Sequence, residues 1–500
     1  MRYLLGIDNG GTVIKAAVFD ERGRQIAAHS CRVEIKFPKA GFTERSLEEV
    51  WAANAEAIKG CLLKAGLNGG DIASVALSGH GKGLYLTDKA GKPVCDGILS
   101  TDSRAIAYEE RWVNDGTADK VFQKTFQKVL ACQPVSLLRW FKDNNRKVYD
   151  SAAHIMSVID YIRFCLTGEI FAEMTCVSGT NLLNLKTRSY DKELLSEFGI
   201  DETFDKLPPV KLSGELCGAV TKKAAALTGL KEGTPVAGGL FDINACALGS
   251  GITNNDNICV IGGTWSINEY ISKTPVIDKS ISMNSIYCLP EFYLIEECSP
   301  TSASNLEWFV NAFMSGEVKK ADGLGKMFYD ALNIEAESSR LNKDGVLFLP
   351  FIFASNEGAG IKGGFYNFDA SAGRAELLRA VYEGIVFSHK SHIDKLLSSR
   401  SKPNAVRLAG GAANSPFWAQ MFADVLNLPV ETIDDKELGC FGACLTAGVA
   451  VGVYKDLKEA VRKTVKISHR YEPDKENGKI YSEKYGNYRG LIKRLSKDSG

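Results

Sequence analysis

Two aspartates in this chain each follow an apolar run, and each is associated with a Gly-Gly-Thr. Asp8 closes the run Tyr3 to Ile7 and opens Asp8-Asn9-Gly10-Gly11-Thr12. Asp242 closes Gly238-Gly239-Leu240-Phe241-Asp242, and Ile261-Gly262-Gly263-Thr264 follows about twenty residues later. Glycine turns leave backbone N–H groups open to an anion, so two of them can hold a polyphosphate from both sides. Two acids beside such turns can manage a metal ion and a proton. The chemistry indicated is phosphoryl transfer from a nucleotide. In the first turn the Thr12 hydroxyl adds a donor, and Lys15, on the strand that follows, offers a point charge for terminal phosphates. Asp8, at its strand end, would face a Mg²⁺ bridging phosphates. The same residues also read as a plain hairpin turn. Asp242 stands at a strand's carboxyl end where a helix begins, which suits a general base for a hydroxyl; a helix N-cap is the other reading.

Other segments have the look of site edges. Gly410-Gly411 follows a strand and precedes Ala412-Ala413-Asn414-Ser415-Pro416, where glycine admits a flat base or sugar to the backbone and Asn414 or Ser415 caps the next helix. Ser78-Gly79-His80-Gly81-Lys82-Gly83 sets one histidine and one lysine among glycines, with Lys82 either solvated or on a substrate oxygen. His80 alone reads equally as a buried, backbone-satisfied ring. Asp102 and Arg104 form either a surface ion pair of little worth or a hydroxyl acceptor and a phosphate or sugar donor.

The elements that must position these groups are legible from periodicity. Tyr3 to Ile7, Val13 to Phe19 and Gln25 to Ser30 predict a strand meander; Leu47 to Leu63 predicts an amphipathic helix, and Ile72 to Leu77 a buried strand. The second half repeats the plan. Thr234 to Leu240, Asn257 to Ile261, Ser266 to Ile271 and Ala405 to Leu408 predict strands, while Glu376 to Leu397 and Phe417 to Leu426 predict helices. Phe441 to Val453 is small and apolar, suited to close helix packing. Beyond Arg470 the tail is polar, with Tyr481, Tyr485 and Tyr488 spaced for a helix lying on the surface.

At 500 residues the chain exceeds one hydrophobic core, and a boundary near residue 250 divides it into 1–250 and 251–500. Sixty Lys plus Arg balance sixty Asp plus Glu, which gives no bias toward nucleic acid or anionic membrane. Thirteen cysteines without a C-x-x-C fit a reduced, cytoplasmic setting, and no run approaches a membrane span.

Together these residues resemble the FGGY carbohydrate kinases, which share an ATPase core with actin and hexokinase. Gly6-Ile7-Asp8 to Lys15 resembles the family's first phosphate loop, and Gly41-Phe42-Thr43-Glu44 its Pro-Gly-aromatic-x-Glu stretch. Asp160-Tyr161 with Leu166-Thr167-Gly168-Glu169 is similar to its Asp-Tyr…Leu-Thr-Gly segment. The resemblance implies two ribonuclease-H-like α/β domains around a central cleft. The sugar and the catalytic Asp242 lie on the N-terminal side, and ATP with Mg²⁺ mostly on the C-terminal side. It implies a metal at Asp8 and Asp242, the second phosphate loop at Gly263 and Thr264, the adenosine loop at Gly410, Gly411 and Asn414, and a nucleotide-lining helix with Ala303 and Glu307. The sugar edge falls on His80, Lys82, Asp102 and Arg104, with His80 where the family usually has glutamine. Gly81-Lys82-Gly83-Leu84, Pro134 to Trp140 and Pro300 to Trp308 look most like the L-xylulose kinase branch. The expectation is a kinase for the terminal hydroxyl of L-xylulose, with D-xylulose, ribulose and glycerol-like polyols behind it and a homodimer as the family's common assembly. An actin-type ATPase scaffold without a small acceptor is the rival of a different class.

Overall fold

The computed structural model describes residues 2–279, 281–320, 325–358, 360–433 and 437–498. The chain forms two compact units. The first takes in Met1–Thr253, Ile271–Ile295 and Lys436–Val465, and the second Asn254–Tyr270, Glu296–Asp435 and Lys466–Gly500. Both are mixed α/β.

In the first unit the strand Tyr3–Asn9 turns back into Val13–Asp20, which pairs in turn with Gln25–Arg32, all antiparallel. On its other side Tyr3–Asn9 runs parallel to Ile72–Gly79. Those two central strands are apolar and buried nearly throughout, as strands covered on both faces must be. The parallel step needs a crossover, and the helix Leu47–Ala65 supplies it. Ser46 caps its start by accepting from the Glu49 N–H, and Gly66, at φ 66°, ends it.

The helix Leu438–Ala450 comes from far down the sequence and packs on Tyr3–Asn9, on Ile72–Gly79 and on the helix Asp242–Gly249. Glycine makes that approach possible. A Cβ on Gly6 would lie 1.8 Å from the Cys440 carbonyl oxygen, and one on Gly442 2.1 Å from that of Ala245. Phe19 and Phe441 close the same seam with ring centroids 5.2 Å apart.

The second unit repeats the strand plan. Ile258–Gly262 turns back into Ser266–Ser272 and runs parallel to Val406–Ala409, which is parallel to Val430–Ile433. Ile467–Tyr471 closes the edge antiparallel. The long helix Arg374–Ser398 and the helix Pro416–Leu426 are largely buried. The tail does form a helix, Lys475–Asp498, as its tyrosine spacing predicts. Its tyrosine side is part of the core, however: Tyr481 and Tyr488 are buried and pack on Phe387. Beside them the buried Glu383 carboxylate binds Lys484 at 2.5 Å and Arg379 at 2.9 Å. A polar composition concealed this because the apolar atoms of three tyrosines carry the contact.

Gly6→Ala and Gly442→Ala each place a methyl inside the van der Waals radius of a backbone oxygen. Each variant should lose more than about 2 kcal/mol of unfolding free energy in a denaturant titration. A wild-type midpoint for both would mean that the seam yields.

Candidate active site

Strand register brings the two acids to one sheet edge. Ser78 pairs with Asp8 on one side and with Leu240 on the other, through the short strand Leu240–Phe241. With neighbouring strands about 4.8 Å apart, the backbones at Asp8 and Leu240 stand roughly 10 Å apart at the carboxyl end of Ile72–Gly79. Asp242 follows two residues later as the first residue of its helix.

The Asp8 carboxylate accepts from the Ser78 hydroxyl at 2.9 Å. Burial pushes its pKa up, against the opposing pull of that hydrogen bond and of Lys15. Its second oxygen lies against Gly439, where a Cβ would come within 2.5 Å, so the amino end of the helix Leu438–Ala450 backs the acid. A helix amino terminus favours negative charge at that point. Among the described residues no group of three or more His, Cys, Asp or Glu is arranged to hold a metal ion. Asp8 is partly exposed, and a single carboxylate of this kind is a ligand that Mg²⁺ takes alongside phosphate oxygens and water.

Gly10 and Gly11 form the turn after Asn9, with the Gly10 N–H donating to the Val13 carbonyl at 3.1 Å and Thr12 exposed. Lys15 has a partner within the chain: its ammonium binds Glu437 at 2.7 Å. Burial works against the Lys15 charge, but the Glu437 hydrogen bond and charge outweigh it and raise the pKa.

Asp242 is not an N-cap. The residue before the helix is Phe241, which makes no side-chain cap, and the Asp242 carboxylate accepts from the N–H of Ile243 at 2.7 Å. The turn that delivers it requires glycine: Gly239 sits at φ 87°, and a Cβ there would lie 2.2 Å from the Leu77 carbonyl oxygen. A buried polar chain holds this turn. Arg163 donates to the Gly238 carbonyl at 2.7 Å and to Asp160 at 2.8 Å. The Phe241 N–H donates to the Thr175 hydroxyl at 2.8 Å, which donates to Glu173 at 2.6 Å. Glu173 also accepts from Ser213 and from the Cys176 N–H. Burial pushes its carboxyl up to about 7 in spite of these donors.

The residues expected at the sugar edge divide. Lys82 is half-buried at φ 62° between two glycines and lines a small cavity with Gly83, Pro134 and Asp160. His80 is buried, with Nδ1 at 3.2 Å from the Gly81 carbonyl and Nε2 at 3.0 Å from the Tyr85 hydroxyl and 3.1 Å from Arg45. Burial, then the Arg45 charge, push its pKa down to about 3, so the ring is neutral. Asp102 and Arg104 do pair, but not on the surface: their side chains are 0% and 2% exposed. Arg104 also binds Glu44 at 2.6 Å and stacks on Phe42 at 4.0 Å, and Asp102 accepts from the Thr43 N–H at 2.7 Å. The pair therefore ties down the segment Gly41 to Glu44, and its polar atoms are used inside the chain.

In the second unit three loops meet. Gly262, Gly263 and Thr264 leave a strand paired with Val406–Ala409, Ile261 opposite Ala409, so the turn beginning at Gly410 emerges at the same level. Gly410 sits at φ 77°, and a Cβ on it would lie 2.9 Å from the Gly262 carbonyl oxygen. The Ala303 N–H donates to Gly263 and the Ser304 hydroxyl to Thr264, each at 2.9 Å, which seats the helix Ala303–Phe313 on the turn. Glu307 is exposed on that helix. Ser415, not Asn414, caps Pro416–Leu426, leaving Asn414 exposed. Behind the turn the buried His389 spans from Ser266 to Ser302, 3.0 Å to each hydroxyl. His389, Arg45, Glu173 and Thr175 stand outside the glycine turns and acid-closed runs that mark the other site residues in the sequence. Only Arg45 carried a signal, its position directly after Gly41-Phe42-Thr43-Glu44.

Glu173→Gln can keep the acceptor for Thr175 and turn its amide to Ser213. The wild-type carboxyl binds a proton more tightly folded than unfolded, so its stability contribution falls as pH rises from about 4.5 to about 7. The Gln variant should lack that decline and gain on wild type across the window, by up to about 3 kcal/mol. Parallel stability–pH curves for the two proteins would show that Glu173 is ionised throughout.

Residues 3–249 match the model of the FGGY family of carbohydrate kinases, N-terminal domain, and residues 258–451 match the C-terminal domain. The L-xylulose/3-keto-L-gulonate kinase of Escherichia coli K12 is 37% identical over 99% of this chain and 97% of its own. The probable L-xylulose kinase of Pasteurella multocida is 35% identical over 99% of each. Among solved structures, the ligand-bound xylulose kinase of Lactobacillus acidophilus superposes with a TM-score of 0.89 at 23% identity, over 100% of this chain and 99% of that one.

Proposed function

The chain belongs to the FGGY family of carbohydrate kinases, and on that premise we propose that it transfers the γ-phosphate of ATP to the terminal hydroxyl of a ketopentose, L-xylulose before other pentuloses. The observation that carries the chemistry is the placing of Asp8 and Asp242 on one sheet edge, either side of the strand Ile72–Gly79. The two relatives at 35% and 37% identity over nearly the whole chain support the sugar.

Asp242 takes the proton of the attacking hydroxyl. Its turn is fixed by Arg163 and Thr175, so the carboxylate need not reorganise when the substrate arrives. Asp8 would hold Mg²⁺, directly or through water; the ion, when bound, neutralises charge on the phosphates. The open N–H groups of Gly11 and Thr12, the Thr12 hydroxyl and Lys15 bind the transferring phosphoryl group, Lys15 exchanging Glu437 for phosphate. Gly263 and Thr264 take the polyphosphate, and Gly410, Gly411, Asn414, Ala303 and Glu307 take the nucleoside. Lys82 reaches the sugar oxygens, while His80, Asp102 and Arg104 shape that edge from behind. The thirteen cysteines, all free, support a reducing, cytoplasmic setting. No helix among the described residues is long and apolar enough to cross a membrane.

Asp242→Asn keeps size and hydrogen bonding but cannot accept the proton. It should fold and bind ATP as wild type does, and lose sugar phosphorylation by roughly 10²–10⁴-fold. Retained turnover would remove Asp242 from the base role. A coupled ADP-release assay across pentuloses, hexuloses and polyols should show stimulation, strongest with L-xylulose. ADP release indifferent to every sugar would favour the scaffold ATPase.

A further inference from the structure

The Arg45 side chain is wholly buried, 0% exposed. Among the described residues no carboxylate lies within ion-pairing distance of it. A guanidinium removed from water without a counter-ion is costly, and folds usually supply an acid. Here the partners are all neutral: two carbonyls of the glycine turn, one tyrosine hydroxyl and one imidazole. Nη1 donates to the carbonyls of Gly10 and Gly11, at 2.9 and 3.0 Å. Nε and Nη2 donate to the Tyr85 hydroxyl at 3.0 and 2.8 Å. Nη2 also stands 3.1 Å from His80 Nε2. Because His80 is neutral and its Nδ1–H faces the Gly81 carbonyl, Nε2 is an acceptor and completes the cage.

Every described peptide bond is trans. Across a trans peptide the C=O and the N–H point in opposite directions. Drawing the Gly10 and Gly11 carbonyls to one guanidinium therefore turns the N–H groups of Gly11 and Thr12 to the far side of the turn. Neither of these N–H groups has a partner among the described residues, and Thr12 is exposed. The outer face of the turn thus offers two aligned donors, backed by a positive charge that makes no ion pair among the described residues.

We propose that Arg45 is a positioning residue for phosphoryl transfer: its guanidinium aims the Gly11 and Thr12 N–H groups at the terminal phosphate of the nucleotide and lends that phosphate its own uncompensated charge. This rests on the reading that the Gly10–Thr12 turn binds phosphate. Tyr85 and His80 hold the guanidinium, which gives His80 a route to catalysis through Arg45 besides its place at the sugar edge.

The test compares Arg45→Met and Arg45→Lys with wild type. The methionine fills the space without donors. The lysine keeps a charge, but one ammonium cannot serve two carbonyls, Tyr85 and His80 together. We expect kcat to fall roughly 10²-fold or more in the Met variant and by an intermediate factor in the Lys variant, with the sugar KM within about twofold. Hydrogen exchange at the Gly10 and Val33 amides, whose acceptors are the Val13 and Thr12 carbonyls, should quicken, and ATP affinity by calorimetry should drop. Unchanged kcat, exchange and ATP affinity in Arg45→Met would overturn the proposal. So would a loss of kcat that tracks the thermal midpoint and returns on cooling. If the Met variant does not fold, the Lys variant decides by the same readings. If wild type phosphorylates no pentulose, the sugar assignment fails separately, while exchange and ATP affinity still judge the role of Arg45.

Discussion

One strand, Ile72–Gly79, determines where the two acids of the first unit stand. Its residue Ser78 is bonded in register to Asp8 on one side and to Leu240 on the other, and its side chain holds the Asp8 carboxylate. Asp8 is set by the backbone ladder itself, and Asp242 by a short turn that leaves the ladder at Phe241 and is pinned by Arg163 and Thr175. Rigidity of this kind limits how far a carboxylate can stray from a productive geometry. The glycines around it follow from the same constraint. Gly239 must pass the Leu77 carbonyl, Gly439 must pass the Asp8 carboxylate, and Gly6 must admit Cys440, each with no room for a methyl group.

The second unit solves a parallel problem with the same parts. A hairpin, a parallel neighbour and a glycine turn at the end of each bring three loops together, and a buried histidine spans from one to another. In both units a polar group without exposure stands behind a glycine turn: Arg45 in the first, His389 in the second. His389 is held neutral, its pKa pushed down to about 3 by burial and then by His392, so it orients hydroxyls without bringing charge. Arg45 brings charge as well.

What the sequence made legible was local. Apolar runs, glycine turns and helical spacing depend on neighbours a few residues apart, so the strands, both Gly-Gly-Thr turns and the tail helix could be read directly. The two acids were legible because each closes an apolar run. Contacts across long separations were not. Nothing near Thr175 announces that it receives the N–H of Phe241, or near Lys15 that Glu437 will meet it. Asp102 and Arg104 are adjacent enough to suggest a pair, but their burial comes from Phe42, Thr43 and Glu44 folding over them. Periodicity placed the three tyrosines on one side of a helix; only the packing against Phe387 shows that this side is core.

The helix Leu438–Ala450 completes a unit that most of its own sequence left behind near residue 253. During synthesis the central strands are made early, and the groove their glycines leave stays bare until that late segment leaves the ribosome. Counted from residue 253, at about 5–20 residues per second, the interval is on the order of 10–40 s. For that time the nascent first half carries an open apolar trough shaped for a partner that does not yet exist. A chaperone that shields it, or a pause in translation that shortens the wait elsewhere, would act on yield without touching any residue of the finished enzyme's chemistry.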